Sequence, residues 1–144
     1  MNERPLRLLL VLLGLIQLAA GCWMTFATSS FAKRVAPYGA VDRHDLRDFA
    51  TFYLALGVAL LGASIRPTWR VPILGLATLE YGLHTINHAI DVNHAHPAWV
   101  GPADLAALAA ATALFACLAW AARTRGASSV ADQRKRGRAT GHRG

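Results

Sequence analysis

Charge is what this sequence has least of. Only 16% of its 144 residues are Asp, Glu, Lys or Arg, against about 25% in an ordinary soluble domain. Acidic residues are the scarcer kind, eight against fifteen basic ones. Such a chain cannot coat a globular core with solvated charge. Cysteine is nearly missing too: Cys22 and Cys117 stand alone, with no CxxC pair that would suggest a redox dithiol or a zinc ribbon. No hydrolase triad, phosphate-binding glycine loop or nucleotide-binding pattern occurs. The one His-x-x-x-His run, "HTINH", lacks the Glu of the zinc-protease motif, which removes protease chemistry.

What is present is oil. Apolar residues make up 54% of the chain and its mean hydropathy is +0.32. A membrane-crossing helix needs about 20 apolar residues, and four segments approach that length: 8–28, 49–65, 71–90 and 103–122. Between them lie polar or proline-containing loops, with Pro37, Pro67, Pro97 and Pro102. The fold expected is all-α: an integral membrane four-helix bundle over residues 1–122, followed by a disordered basic C-terminal tail over 123–144. Ala55, Ala59 and Ala63 recur every fourth residue and the fourth segment is mostly Ala. Small residues let membrane helices approach closely, so tight packing is expected there.

Cation placement sets an orientation. With the N-terminus inside, the cytoplasmic segments hold eleven of the fifteen Lys and Arg residues: Arg4, Arg7, Arg66, Arg70 and seven in the tail. The external loops hold the other four, Lys33, Arg34, Arg43 and Arg47. The positive-inside rule then puts both termini in the cytoplasm of a bacterial inner membrane. Trp23, Trp69, Trp99 and Trp120 fall at the expected interfaces. The tail suits anionic lipid head groups; without interleaved aromatics it gives no reason to expect nucleic acid. The run "LAAGC" ending at Cys22 is similar to a bacterial lipobox, but Ala19 stands where Leu is preferred and the chain beyond stays apolar. In this topology the two cysteines differ in depth by roughly 10 Å or more, too far for a disulfide.

The third segment carries the chemistry. It runs into "HTINHAIDVNHAH", which holds four of the six histidines. At about 100° per residue, Glu80, His84, Asn87, His88 and Asp91 fall on one stripe about 100° wide. Leu79, Leu83, Ile86 and Ile90 take the opposite face. A charge facing lipid costs several kcal/mol, so the stripe is expected to face the bundle interior or a wet cavity. Glu80 lies near mid-membrane and Asp91 at the outer interface.

Three readings of the stripe follow. His84 and His88 at i, i+4, with Asp91, would bind a transition metal (Zn, Cu, Fe or Ni), with Asp45, Asp48 or His44 from the first external loop completing the shell. Alternatively Glu80, His84 and Asn87 would line a proton or quinone path. The third reading is structural: buried His and Asn bridge helices by hydrogen bonds worth about 1 kcal/mol, and the protein is a membrane partner or scaffold. A bis-His haem within one chain is excluded, because both intramembrane histidines share one helix face. Gln17, near the middle of the first segment, is placed to face Glu80. Asp104 opens the fourth helix, where its charge complements the helix dipole.

The stretch "HDLRDFATFYLALGVALLGASIRPTWR", an Arg before a small, glycine-containing span and then a short basic loop, resembles the DoxX-like group of small four-helix bacterial membrane proteins. The resemblance implies the four-span fold over about 115 residues and favours quinone-linked redox work. It assigns no residue a role. A chain this small is also expected to join a homo-oligomer or a larger membrane complex.

Overall fold

In a computed structural model the chain is described over residues 3–35, 38 and 42–140, with side chains placed as far as Arg125. Among the described residues five helices follow one another: α1 Glu3–Phe26, α2 Thr28–Arg34, α3 Arg43–Ile65, α4 Pro67–Ile90 and α5 Val100–Thr140. No strand occurs among the described residues. Among the described residues three helices are long and apolar enough to cross a membrane: α1, α3 and the Val100–Arg125 part of α5. α4 is as long as α1, at 24 residues, which is about 36 Å of helix. Its polar stripe is what dilutes its hydropathy.

The ends of the helices have local causes. Asp42 caps α3 by accepting the His44 backbone N–H at 2.7 Å, which satisfies one of the free donors at a helix start. Only Arg66 separates α3 from α4. Pro67 then opens α4 at the position where a missing N–H costs nothing. The short α2, which hydropathy alone does not reveal, folds the first loop back on α1. The Trp23 indole N–H donates to Ser30 Oγ at 3.3 Å, and its ring meets Phe31 edge-on at 5.5 Å. α1 begins five residues before the apolar run at Leu8, so Glu3, Arg4 and Arg7 ride on its first turns.

Packing proceeds in two tight pairs. α1 lies against α3 through glycine. A Cβ on Gly57 would stand 2.7 Å from Leu18 Cγ and 2.9 Å from the Gly14 carbonyl oxygen. Gly14 and Gly57 therefore meet backbone to backbone. In the expected Ala55/Ala59/Ala63 series, Ala63 is fully buried while Ala55 is exposed. α4 lies against α5 through Tyr81 on Phe115, ring centroids 5.1 Å apart, and a Thr85–Thr112 hydroxyl contact at 3.1 Å. Leu6, Leu10, Leu56, Leu60, Leu74 and Leu118 fill the space between the pairs. Two polar links also join α1 to α4. The Gln17 amide donates to the Tyr81 hydroxyl, and Arg70 Nη1 donates to Glu3 Oε2 at 2.8 Å.

The outside of this assembly is apolar. Leu79, Leu83 and Ile86 are each 60% exposed and Ile90 73%, and all four tryptophans face outward. Both cysteines are free and exposed.

The tail differs from expectation. The disordered segment anticipated from residue 123 is instead a continuation of α5 to Thr140. Ala, Arg, Lys and Gln are strong helix formers, and no proline interrupts them. Side chains beyond Arg125 and residues 141–144 lie outside the described part, as do residues 36–37 and 39–41 of the first loop.

Candidate functional site

The polar stripe turns inward, as its angular spread requires. Glu80 and His84 have only 16% and 18% of their side chains exposed. Leu79 and Leu83, their neighbours in sequence, point out. One turn of helix separates Glu80 from His84 and another separates His84 from His88, each a climb of about 6 Å. The three side chains form a ladder. Glu80 Oε1 and His84 Nδ1 lie 3.8 Å apart, and the His84 and His88 rings are 4.8 Å apart between centroids. Phe49 of α3 closes the ladder from the side, meeting His84 edge-on at 5.3 Å.

The outer end of the ladder is tied to two residues that spacing did not single out as partners. The Tyr38 hydroxyl donates to Asp104 Oδ2 at 2.9 Å and contacts His88 Nδ1 at 3.1 Å. A hydroxyl has one proton to give. With that proton on the Asp104 side, His88 Nδ1 must be the donor to Tyr38, which fixes the His88 tautomer. Burial first, then the hydrogen bond to Asp104 and the charges of Asp104 and Asp91, push the Tyr38 hydroxyl up to about 12. Tyr38 therefore stays protonated at physiological pH and relays a hydrogen bond between imidazole and carboxylate.

The inner end is also polar. Tyr81 is one residue beyond Glu80, accepts the Gln17 amide, and lies beside Tyr53 of α3. Three buried polar atoms have no hydrogen-bond partner among the described residues: Gln17 Oε1, Glu80 Oε2 and His84 Nδ1. Unpartnered polar atoms inside a helix assembly are expensive and usually mark function. All three lie at the buried end of the ladder.

Not every predicted site residue joins this arrangement. Asn87 lies on the edge of the stripe and is exposed. Asp91 pairs with His94, Oδ1 to Nδ1 at 3.1 Å. His44 and Asp48 pair with each other at 3.5 Å with both side chains largely exposed, and Asp45 is exposed beside them. Among the described residues no three His, Cys, Asp or Glu side chains converge on a point that could hold a metal ion. The shell expected from His84, His88 and Asp91 with Asp45, Asp48 or His44 is not assembled. Shared helix face is a matter of angle, whereas ligation needs side chains aimed at one centre.

Comparison with protein-family models, with curated proteins and with solved structures finds no match for this chain.

Proposed function

We propose that this chain is a multi-pass inner-membrane protein of four spanning helices, α1, α3, α4 and α5, with both ends cytoplasmic. In this reading it handles protons between mid-membrane and the external face, along the Glu80–His84–His88 ladder. α4 counts as the fourth span because Glu80, His84 and His88 are turned into the assembly, against Phe49, Tyr38 and one another, while its outward face is mainly Leu and Ile. The observation that carries the proposal is the ladder itself. An acid and two imidazoles are stacked one turn apart and shielded from lipid, then handed through Tyr38 to Asp104 at the mouth.

Each group has a use in proton traffic. Imidazole accepts on one nitrogen and donates from the other, and its ordinary affinity for protons falls near neutral pH. Glu80 is the acid at the buried end. The unpartnered Glu80 Oε2 and His84 Nδ1 are where a proton could be received and passed. The likeness to the DoxX-like group adds a quinone head group as the natural proton-coupled redox partner at this depth.

The test is proton flux into liposomes holding the purified protein and a trapped pH-sensitive dye, driven by a potassium diffusion potential. Glu80→Gln and His84→Ala are each expected to cut the flux at least about tenfold, as removal of a relay group should. Leu83→Ala on the lipid side should leave it within about twofold. Wild-type protein that conducts no more than empty liposomes, with and without a short-chain quinone, would end the proton reading and leave the stripe as helix-to-helix packing.

A further inference from the structure

At the opposite end of the molecule from the ladder lies a second polar feature that proton handling does not use. The first turns of α1, the last turn of α3 and the first turn of α4 enclose an open cavity of about 340 Å³. Arg4, Arg7, Arg70, Glu3, Ser64 and Ile65 line it. Arg70 is 93% buried, an arginine held inside the assembly. Its Nε donates to the Ala63 carbonyl at 3.3 Å and its Nη1 to Glu3 Oε2 at 2.8 Å. The other oxygen of Glu3 is taken by Arg125 at 3.5 Å. One carboxylate thus serves two guanidiniums, one on each oxygen. Arg4 and Arg7 make no hydrogen bond or ion pair with any described residue. Among the described residues that line the cavity, three arginines face one carboxylate, so the site favours an added negative charge.

We infer that the cavity binds the phosphodiester of an anionic phospholipid of the cytoplasmic leaflet, with Arg4 and Arg7 as its ligands and the Glu3–Arg70 pair as its fixed wall. The inference rests on the reading that the chain spans the membrane. Ser64 is not a ligand, because its hydroxyl is already given to the Leu61 carbonyl at 2.7 Å. Guanidinium is the side chain best matched to phosphate oxygens, through paired charge-assisted hydrogen bonds. Basic pockets between membrane helices on the cytoplasmic side are where lipid head groups dock. The cavity also stands at the right depth. Ile65 on its rim and Leu8 just beyond Arg7 are exposed apolar side chains. Arg66 stacks on the outward-facing Trp69 ring at 4.7 Å, at the same end. Aromatic rings of this kind sit at the head-group level. A lipid held there has its phosphate on arginine and its acyl chains along Leu8 and Ile65. A free phosphate ion offers the same charge without the chains, and it is the alternative source the test must separate.

The test uses the full chain in mild detergent, titrated with phosphatidylglycerol, phosphatidylcholine or inorganic phosphate, with bound species counted by native mass spectrometry. Phosphatidylglycerol should bind at one site, and phosphatidylcholine and inorganic phosphate should not displace it. Arg4→Ala/Arg7→Ala should weaken binding at least about tenfold, and Arg7→Gln alone by about threefold, the loss of charged hydrogen bonds. The control Arg34→Ala/Arg43→Ala removes two cations from the other end and should stay within about twofold. Equal loss in both double variants would mean diffuse charge attraction and overturn the inference. So would equal displacement by inorganic phosphate. Arg4→Ala/Arg7→Ala should keep wild-type proton flux in liposomes, so this site and the ladder stand or fall separately.

Discussion

At the scale of single residues, Tyr38 and Asp104 decide what the ladder can deliver. Tyr38 is reached from a loop, 50 positions from His88 and 66 from Asp104, and its hydroxyl is held up to about 12 by burial and by Asp104. Near-ultraviolet absorbance of tyrosinate, taken as wild type minus Tyr38→Phe, should therefore titrate near 12. In Asp104→Asn the same difference should move down toward 10, the ordinary phenol value. The sign of the linked stability follows. A phenol whose folded pKa is raised contributes stability that is fully present below its unfolded pKa. That stability is lost as pH rises through the folded value, so between about 10 and 12 the wild type should lose thermal stability that Tyr38→Phe does not. These two partners were not legible in the sequence. Nothing local in "VAPYGAVD" or "VGPADLAA" announces a meeting across dozens of residues. By its place in the sequence Asp104 is only a helix-start charge.

At the scale of helices, the stripe and its greasy reverse were legible. The helical repeat alone separates Glu80, His84 and His88 from Leu79, Leu83 and Ile86, and burial follows that division. Two elements were not. The α1–α3 contact depends on Gly14 and Gly57 meeting across a gap that no pattern within one helix can reveal. Among the described residues, equal angle on α4 does not bring Asp91 or the α3 acids to one centre with the histidines. The glycine contact gives a paired prediction. Gly57→Ala puts a Cβ 2.9 Å from a backbone oxygen that cannot move cheaply. It should destabilise the folded protein by about 1–3 kcal/mol, the usual penalty of overpacking. Gly75→Ala meets nothing within 4 Å and should be neutral or slightly stabilising, since Ala is the better helix former. Thermal unfolding in detergent, followed by circular dichroism, compares the two directly.

At the scale of the whole molecule, the chain keeps its polar chemistry at its two ends and along one internal track, with lipid-like side chains elsewhere. The sequence carried this division in its cation count and its hydropathy. It could not show that Glu3 and Arg70, 67 residues apart, would close one end, nor that the basic tail extends α5. The turn between α3 and α4 has its own consequence for biogenesis. With Arg66 alone between them, the two helices leave the ribosome almost as one unit. In the four-span reading, Glu80 and His84 make α4 presented alone a poor substrate for a translocon, since polar residues near a helix centre raise the insertion free energy. On the proposed topology, α4 entering as a hairpin lays that face on α3 before lipid meets it. In a cell-free insertion assay, α4 presented alone should integrate less well than the α3–α4 hairpin, and Glu80→Leu should close the gap. Equal integration of both forms would mean that α4 needs no escort.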